Sequence, residues 1–116
     1  MTSFPLPPGF ALDDIVALTL IAAEMARVRT AEQRPADGDA VYTDGDLAAA
    51  GGVYLLNAGA SDLVRADYPP GKPCDLWPWA NDQWKPKSPI RDAVRGCALG
   101  AFEISRRLRA GEPVEG

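Results

Sequence analysis

Hydrophobic positions along this chain recur at helical spacing in three segments, and no segment alternates convincingly as a β-strand does. The first segment opens at Asp13 and Asp14, acids that suit the first turn of a helix, and it runs to about Gln33 before Pro35. Its predicted core stripe consists of Ile15, Leu18, Ala22, Met25 and Val28 or Arg29, widened by Val16 and Leu20.

A second helix is predicted to begin at a Thr43 cap and to end near residues 57–59. Its middle holds the pair Gly51-Gly52, and each glycine costs about 1 kcal/mol relative to alanine inside a helix. A pair kept at that cost indicates a kink or a close backbone approach. We expect it to meet the strip formed by Gly96 and Gly100 in the last helix.

The last helix has the clearest boundaries. Ser88 is suited to cap its start, Pro89 occupies the first helical position, and Gly111 and Pro113 end it. Apolar positions alternate three and four residues apart along it, which predicts a buried seam of Val94, Cys97, Ala101, Ile104 and Leu108.

These segments predict an all-α fold, a compact three-helix bundle with a long Pro/Trp-rich loop before the last helix. Residues 61–66 suit one extra turn of helix, and the loop spans residues 67–88. The 116 residues are expected to form a single helical domain, with an irregular arm at 1–11 and a frayed tail at 112–116.

Composition narrows the function. Hydrophobic residues make up 47% of the chain, the net charge is −4, and histidine is missing from the sequence. The missing histidine excludes Ser-His-Asp catalysis, Cys-His catalysis and histidine zinc sites, and the acidic balance argues against extended nucleic acid as a partner. The sequence shows no secretory signal and no bilayer-length apolar run, so we expect a cytoplasmic protein without a membrane partner.

All three tryptophans and four cations fall within residues 77–95. Indole rings stack on flat ligands, while lysine and arginine neutralise phosphate, so this combination favours an anionic, nucleotide-like ligand. The candidate ligand-binding residues are Trp77, Trp79, Trp84, Lys85, Lys87, Arg91 and Arg95. Two structural alternatives stay open: the indoles form a small core that holds the loop, or the cations pair with nearby acids.

One carboxylate falls on each predicted helix, at Glu24, Asp46 and Asp92. This distribution resembles the all-α nucleotide pyrophosphohydrolases of the MazG type, in which helix carboxylates bind magnesium around a triphosphate. The resemblance implies a magnesium site at these three residues, although the Glu-Glu-x-x-Glu cluster of those enzymes is missing from this sequence.

A second resemblance covers residues 20–107. The segments Gly45-Asp46-Leu47-Ala48, Trp77-Pro78-Trp79, Trp84-Lys85-Pro86-Lys87 and Arg91-Asp92-Ala93-Val94 resemble a pattern found in small uncharacterised phage and prophage proteins. The chain departs from that pattern at Met25, Asp46 and Arg95, where the pattern has arginine, glutamate and lysine. The resemblance implies a phage or prophage origin and, by analogy with phage accessory proteins, a role against host defence.

Three hypotheses follow. The leading one is a phage accessory protein that binds a small anionic nucleotide-like ligand, without a cofactor and without catalysis. The second is a degenerate magnesium-dependent nucleotide pyrophosphohydrolase, and the third is a protein that inhibits a host defence complex by binding to it. A homodimer through the strip from Gly96 to Gly100 is a further possibility.

Overall fold

A computed structural model describes residues 5–115, and its α-helices and 3-10 turns confirm the all-α prediction. The α-helices are α1 (Leu12–Thr30), α2 (Asp46–Gly59), α3 (Asp62–Ala66) and α4 (Pro89–Arg109). Two 3-10 turns, Ala36–Val41 and Asn81–Gln83, lie in the connections. None of the described helices combines the length and the apolar content that a bilayer crossing requires.

The predicted ends of α4 are confirmed, but the predicted start of α2 is wrong. Ser88 Oγ accepts a hydrogen bond from the Arg91 backbone N–H at 3.1 Å, as expected of a helix cap. α2 begins at Asp46, and its cap position is Gly45, two residues after the expected Thr43; the Gly45 φ of 81° lies in the left-handed region that glycine tolerates. The backbone turn therefore sets this helix start, and no side chain caps it. Residues 1–4 of the predicted arm and residue 116 of the predicted tail lie outside the described residues.

α2 and α4 pack at very short range, as the glycines predicted. A Cβ atom added at Gly51 would lie 2.8 Å from the Gly96 carbonyl oxygen, and one added at Gly96 would lie 2.6 Å from Leu55 Cγ. Gly52 and Gly100 have open space around the position of a Cβ. The close contact thus depends on one glycine from each helix, and the other two glycines are not required for it.

The Pro/Trp-rich loop supplies the two tryptophans of the hydrophobic core cluster. Ala50, Val53 and Tyr54 of α2 pack against Trp77 and Trp84 of the loop. Large aromatic rings bury more area than aliphatic side chains, so these two residues contribute strongly to the core. The core accordingly lies between α2 and the loop, beside the α2–α4 contact.

The predicted seam of α4 is wrong at Cys97, Ile104 and Leu108, which are exposed. The buried side of this helix instead carries Phe102, with Asp92, Glu103 and Arg106 among its charged members. Arg106 Nε donates to Glu103 Oε1 at 2.7 Å, so two of these charges neutralise each other within the protein. Pairing lowers the free-energy cost of burying these charged groups. The spacing of hydrophobic residues along the sequence does not reveal such buried ion pairs.

The predicted stripe of α1 is wrong over its first half, because Ile15, Leu18 and Ala22 are exposed. The inward side of α1 carries buried Glu24, with Met25 and Val28 half-buried beside it. The helix is apolar on nearly every side between residues 15 and 23, so the pattern could not indicate which side is buried.

We expect Gly51→Ala to lower the free energy of unfolding by about 1–2 kcal/mol, because the new methyl group meets backbone atoms that cannot move independently. Gly52→Ala is the matched control one residue away, and it should raise stability by up to about 1 kcal/mol, since it gains helix propensity without a clash. Urea unfolding of both variants measures the difference, and equal stabilisation by both would contradict the close contact.

Candidate functional site

Asp92 holds the loop and three helices together at the start of α4. Its side chain is fully buried, and its carboxylate accepts hydrogen bonds from Asn57 Nδ2 at 2.9 Å, from Arg65 Nη2 at 3.0 Å and from the Lys87 backbone N–H at 2.7 Å. The donors come from α2, from α3 and from the end of the loop. One carboxylate therefore determines where the last residues of the loop lie relative to the bundle.

The tryptophans of the loop divide into structural and cavity-lining residues. Trp84 is only 1% exposed, and its Nε1 donates to the Tyr68 carbonyl oxygen at 3.0 Å. The stacking role predicted for Trp84 is therefore wrong, because its ring is enclosed in the core against Tyr54. Trp77 is 9% exposed and Trp79 is half-buried, and both residues border one cavity.

This cavity has a volume of about 530 Å³ and lies between α1, the turn after it, the loop and α4. Its volume falls within the range of about 300–1,000 Å³ that is usual for small-molecule sites. The aromatic residues around it are Tyr42, Tyr54, Trp77, Trp79 and Phe102. The charged residues around it are Arg27, Arg34, Lys85, Lys87 and Arg95, together with Glu24, Glu32 and Asp39.

Aromatic contacts fix the indole of Trp79 in place. Its ring meets that of Trp77 edge-on, with centroids 5.5 Å apart at 86°, and that of Tyr42 with centroids 5.6 Å apart at 54°. Edge-on packing of this kind stabilises a ring orientation while it leaves part of the ring face uncovered. The cavity thus has a rigid aromatic wall.

Three cations at the cavity have no carboxylate partner within 4 Å among the described residues: Lys85, Lys87 and Arg95. Arg95 Nη1 donates to the Lys85 carbonyl oxygen at 2.9 Å and to the Tyr54 hydroxyl at 3.3 Å, which holds the guanidinium beside the loop without neutralising it. Positive charge is therefore concentrated on the loop and α4 side of the cavity.

Two buried side-chain nitrogens lack a hydrogen-bond partner in the described part of the chain, Trp79 Nε1 and Arg95 Nε. Both are donors, and both residues border the cavity. A buried donor without an acceptor costs about 1–3 kcal/mol, so native proteins tolerate few of them. The two donors indicate a site that suits a ligand rich in hydrogen-bond acceptors.

Arg91 does not join the cavity as the sequence predicted. Its guanidinium forms an ion pair with Glu24 of α1, and Arg91 is not among the residues that border the cavity. Glu24 also accepts from Arg27 Nε and Nη2 at 2.8 Å each. Arg91 and Arg95 are four residues apart on α4, but they have different surroundings. Arg91 binds Glu24 of α1, whereas Arg95 borders the cavity.

The same arginines keep Glu24 ionised. Burial by itself raises the pKa of Glu24, but the hydrogen bond from Arg27 and the charges of Arg91, Arg27 and Arg95 outweigh it. The pKa consequently lies below its ordinary value of 4.5. Glu24 therefore remains a carboxylate, paired with Arg27 and Arg91, where it borders the cavity.

The structure does not assemble the predicted magnesium ligands. Glu24 is engaged by two arginines, Asp92 by its three donors, and Asp46 is half-buried at the first position of α2. Among residues 5–115, no group of three or more Asp, Glu, Cys or His side chains is placed to hold a metal ion. The convergence of carboxylates that the pyrophosphohydrolase hypothesis requires is not present there.

Sequence reasoning missed Tyr42, Tyr54, Arg27 and Arg34 at the cavity. Tyr54 lies on the buried side of α2, and its hydroxyl accepts from the Lys85 backbone N–H at 3.2 Å, which positions the basic end of the loop. Its polar tip on a buried face was the available signal, because buried tyrosine hydroxyls usually find a partner.

Comparison with protein-family models, with curated proteins and with solved structures finds no match to this chain. The resemblance to phage and prophage proteins therefore stays a prediction.

We expect Asp92→Asn to lower the free energy of unfolding by about 3 kcal/mol, because Arg65 would keep its largely buried charge without a counter-ion. Asp82→Asn in the same loop is the matched control, since Asp82 is exposed, and it should change stability by less than about 0.5 kcal/mol. Urea unfolding followed by tryptophan fluorescence measures both variants. A loss below about 1 kcal/mol for Asp92→Asn would contradict its place as the anchor of the loop.

Stability should also depend on pH through Glu24. A carboxyl whose pKa is lowered by folding stabilises the native state above its unfolded pKa of 4.5, and this contribution is lost as the pH falls through the lower native value. Unfolding free energies measured between about pH 6 and pH 3 should therefore fall less steeply in Glu24→Gln than in the wild type. Asp44→Asn serves as a control, because Asp44 is exposed and has no ion pair within the described chain. Parallel curves for the wild type and Glu24→Gln would contradict the prediction.

Proposed function

We propose that this protein binds a small anionic, nucleotide-like ligand in the cavity between α1 and the Pro/Trp-rich loop. The observation that supports this most strongly is the meeting of a rigid aromatic wall with three unneutralised cations at one cavity of about 530 Å³. Neither feature alone would indicate a nucleotide, because aromatic walls also suit apolar ligands and cation clusters also suit inorganic anions.

The aromatic wall and the cations bind different parts of the proposed ligand. A flat ring packs against Trp79 and Trp77, while phosphate oxygens accept hydrogen bonds from Lys85, Lys87 and Arg95. Arginine is suited to phosphate because its planar donors engage two oxygens at once, and lysine adds charge on a flexible stem. The unmatched donors Trp79 Nε1 and Arg95 Nε favour a ligand with many acceptors.

The ligand is small. The cavity volume of about 530 Å³ suits a small molecule and not a nucleic-acid strand. The net charge of −4 acts in the same direction over the rest of the surface. A mononucleotide, a cyclic nucleotide or a dinucleotide fits these limits better than a nucleic-acid strand.

The proposed biological role is a phage or prophage accessory protein that sequesters such a ligand and so counters a host defence. This part rests on the resemblance carried by residues 77–79 and 84–87. Sequestration needs no catalytic group, which suits a site built from rings and cations.

Isothermal titration calorimetry with linear and cyclic mononucleotides tests the proposal, with the parent nucleosides and inorganic phosphate as separate arms. We expect heat with the nucleotides at about 100 μM protein, where a matching Kd corresponds to about −5.5 kcal/mol. Nucleoside and phosphate should each bind more weakly, because each engages only one part of the site.

Single substitutions test whether the nucleotide binds at this cavity. Lys85→Gln should weaken affinity about tenfold through loss of a charge-assisted contact, whereas Lys72→Gln, an exposed lysine away from the cavity, should leave it unchanged. Trp79→Phe keeps a flat ring but removes the Nε1 donor, so a smaller loss is expected. Nucleotide binding that responds equally to Lys85→Gln and Lys72→Gln would place the ligand elsewhere, and the lack of heat with every nucleotide would refute the proposal.

A further inference from the structure

The distribution of exposed and buried residues on α1 differs from that of a usual surface helix. Its charged residues in the second half, Glu24, Arg27 and Arg29, are engaged by partners within the chain, and Glu24 is buried. The apolar and small residues of its first half are exposed, whereas Met25 and Val28 of the second half are half-buried. A helix normally buries its apolar stripe and presents charge to water, so this arrangement requires an explanation outside the single chain.

The outer face of α1 is defined here by six exposed residues, Leu12, Ile15, Val16, Thr19, Ala23 and Ala26. Their spacing of three and four residues places them on one side of the helix along about 21 Å. None carries a charge. Thr19 adds little polarity, because its hydroxyl donates to the Ile15 carbonyl oxygen at 2.8 Å and is thereby satisfied within the helix.

The exposed apolar area is large for a monomer. Leu12 is 75% exposed, and Ile15, Val16, Leu18 and Leu20 are between 39% and 48% exposed. Leu18 and Leu20 flank the outer face, and Leu6 (40% exposed) and Phe10 (39% exposed) of the preceding arm add further exposed apolar side chains. Removing this many apolar side chains from water favours association with another surface.

The outer face is complementary in shape to itself. Its large residues lie in the first half and its small residues in the second, so an antiparallel pair of α1 helices about a two-fold axis at Thr19 would set large against small. In that register Leu12 faces Ala26, Ile15 faces Ala23 and Val16 faces Ala22 of the other copy. A two-fold axis also covers both surfaces with a single contact.

Charge favours the same arrangement. Antiparallel pairing brings Asp13 near Arg27 of the other copy, which is 39% exposed beside Glu24 and Glu32, and opposes the two helix dipoles. The exposed side of α4 offers the other apolar surface, with Ile90, Ile104 and Leu108. That helix carries arginines near both of its ends, so two copies of α4 would gather like charges in either direction.

We infer that the outer face of α1 is the interface with a second copy of this chain, paired antiparallel about Thr19. The inference is independent of ligand binding, since the outer face points away from α4 and the residues at its centre are not among those that border the cavity.

Sedimentation velocity between about 1 and 100 μM, without ligand, tests the inference. The wild type should sediment at twice the chain mass at the upper concentrations. Ala23→Glu should weaken the dimer at least tenfold by placing a charge against Ile15 of the other copy. The double variant Ile15→Lys/Ala23→Glu should recover much of the loss, because the opposite charges then meet across the axis. Positions 15 and 23 are too far apart along one helix to pair within a chain.

Ile104→Glu is the matched control on the exposed side of α4, and it should leave the dimer intact. Circular dichroism of each variant confirms that the helices are retained. A wild type that stays monomeric at about 100 μM would overturn the inference. So would a dimer that Ala23→Glu leaves unchanged, a dimer that Ile104→Glu disrupts, or a double variant without recovery.

Discussion

The position of the long loop depends on one buried carboxylate. Asp92 is fully buried at the start of α4 and receives donors from α2, from α3 and from the backbone of Lys87. A buried charge is tolerated only where its hydrogen bonds are satisfied, and here the satisfying groups come from every neighbouring element. The hydrogen bonds that satisfy Asp92 therefore also hold the end of the loop against the bundle, where its basic residues border the cavity.

This constraint links the fold to the candidate site. Trp77 belongs both to the core and to the cavity wall, and the hydroxyl of Tyr54 holds the backbone of Lys85. Part of the cavity wall is therefore also core, because Tyr54 and Trp77 belong to both. Residues that the core holds in place favour affinity, since they lose little conformational entropy on binding. A substitution at Trp77 would change stability and binding together, so exposed Lys85 gives the cleaner measure of the site.

The sequence predicted the parts of the fold that depend on local chemistry. Ser88 and Pro89 indicated the start of α4, and Gly51 and Gly96 indicated the close approach of two helices, because caps and missing side chains act within a few ångströms. For the site, clustering along the chain indicated Trp77, Trp79, Lys85, Lys87 and Arg95 correctly as neighbours of one cavity. Local clustering could not reveal the tyrosines and arginines that α1, α2 and the acidic turn bring to it, since only the packing of the bundle does so.

Buried side chains were harder to predict for one physical reason, which is that this protein places many of its charges inside. Glu103 pairs with Arg106, and Glu24 pairs with Arg91, on helix sides that a periodicity argument assigns to solvent. Each buried pair occupies space that an apolar side chain would otherwise fill, so apolar residues such as Ile104 are displaced to the surface. The ionic interior and the uncharged outer surfaces are thus two consequences of the same arrangement. A chain that stabilises its interior with ion pairs keeps its apolar helix faces available for contact with another copy.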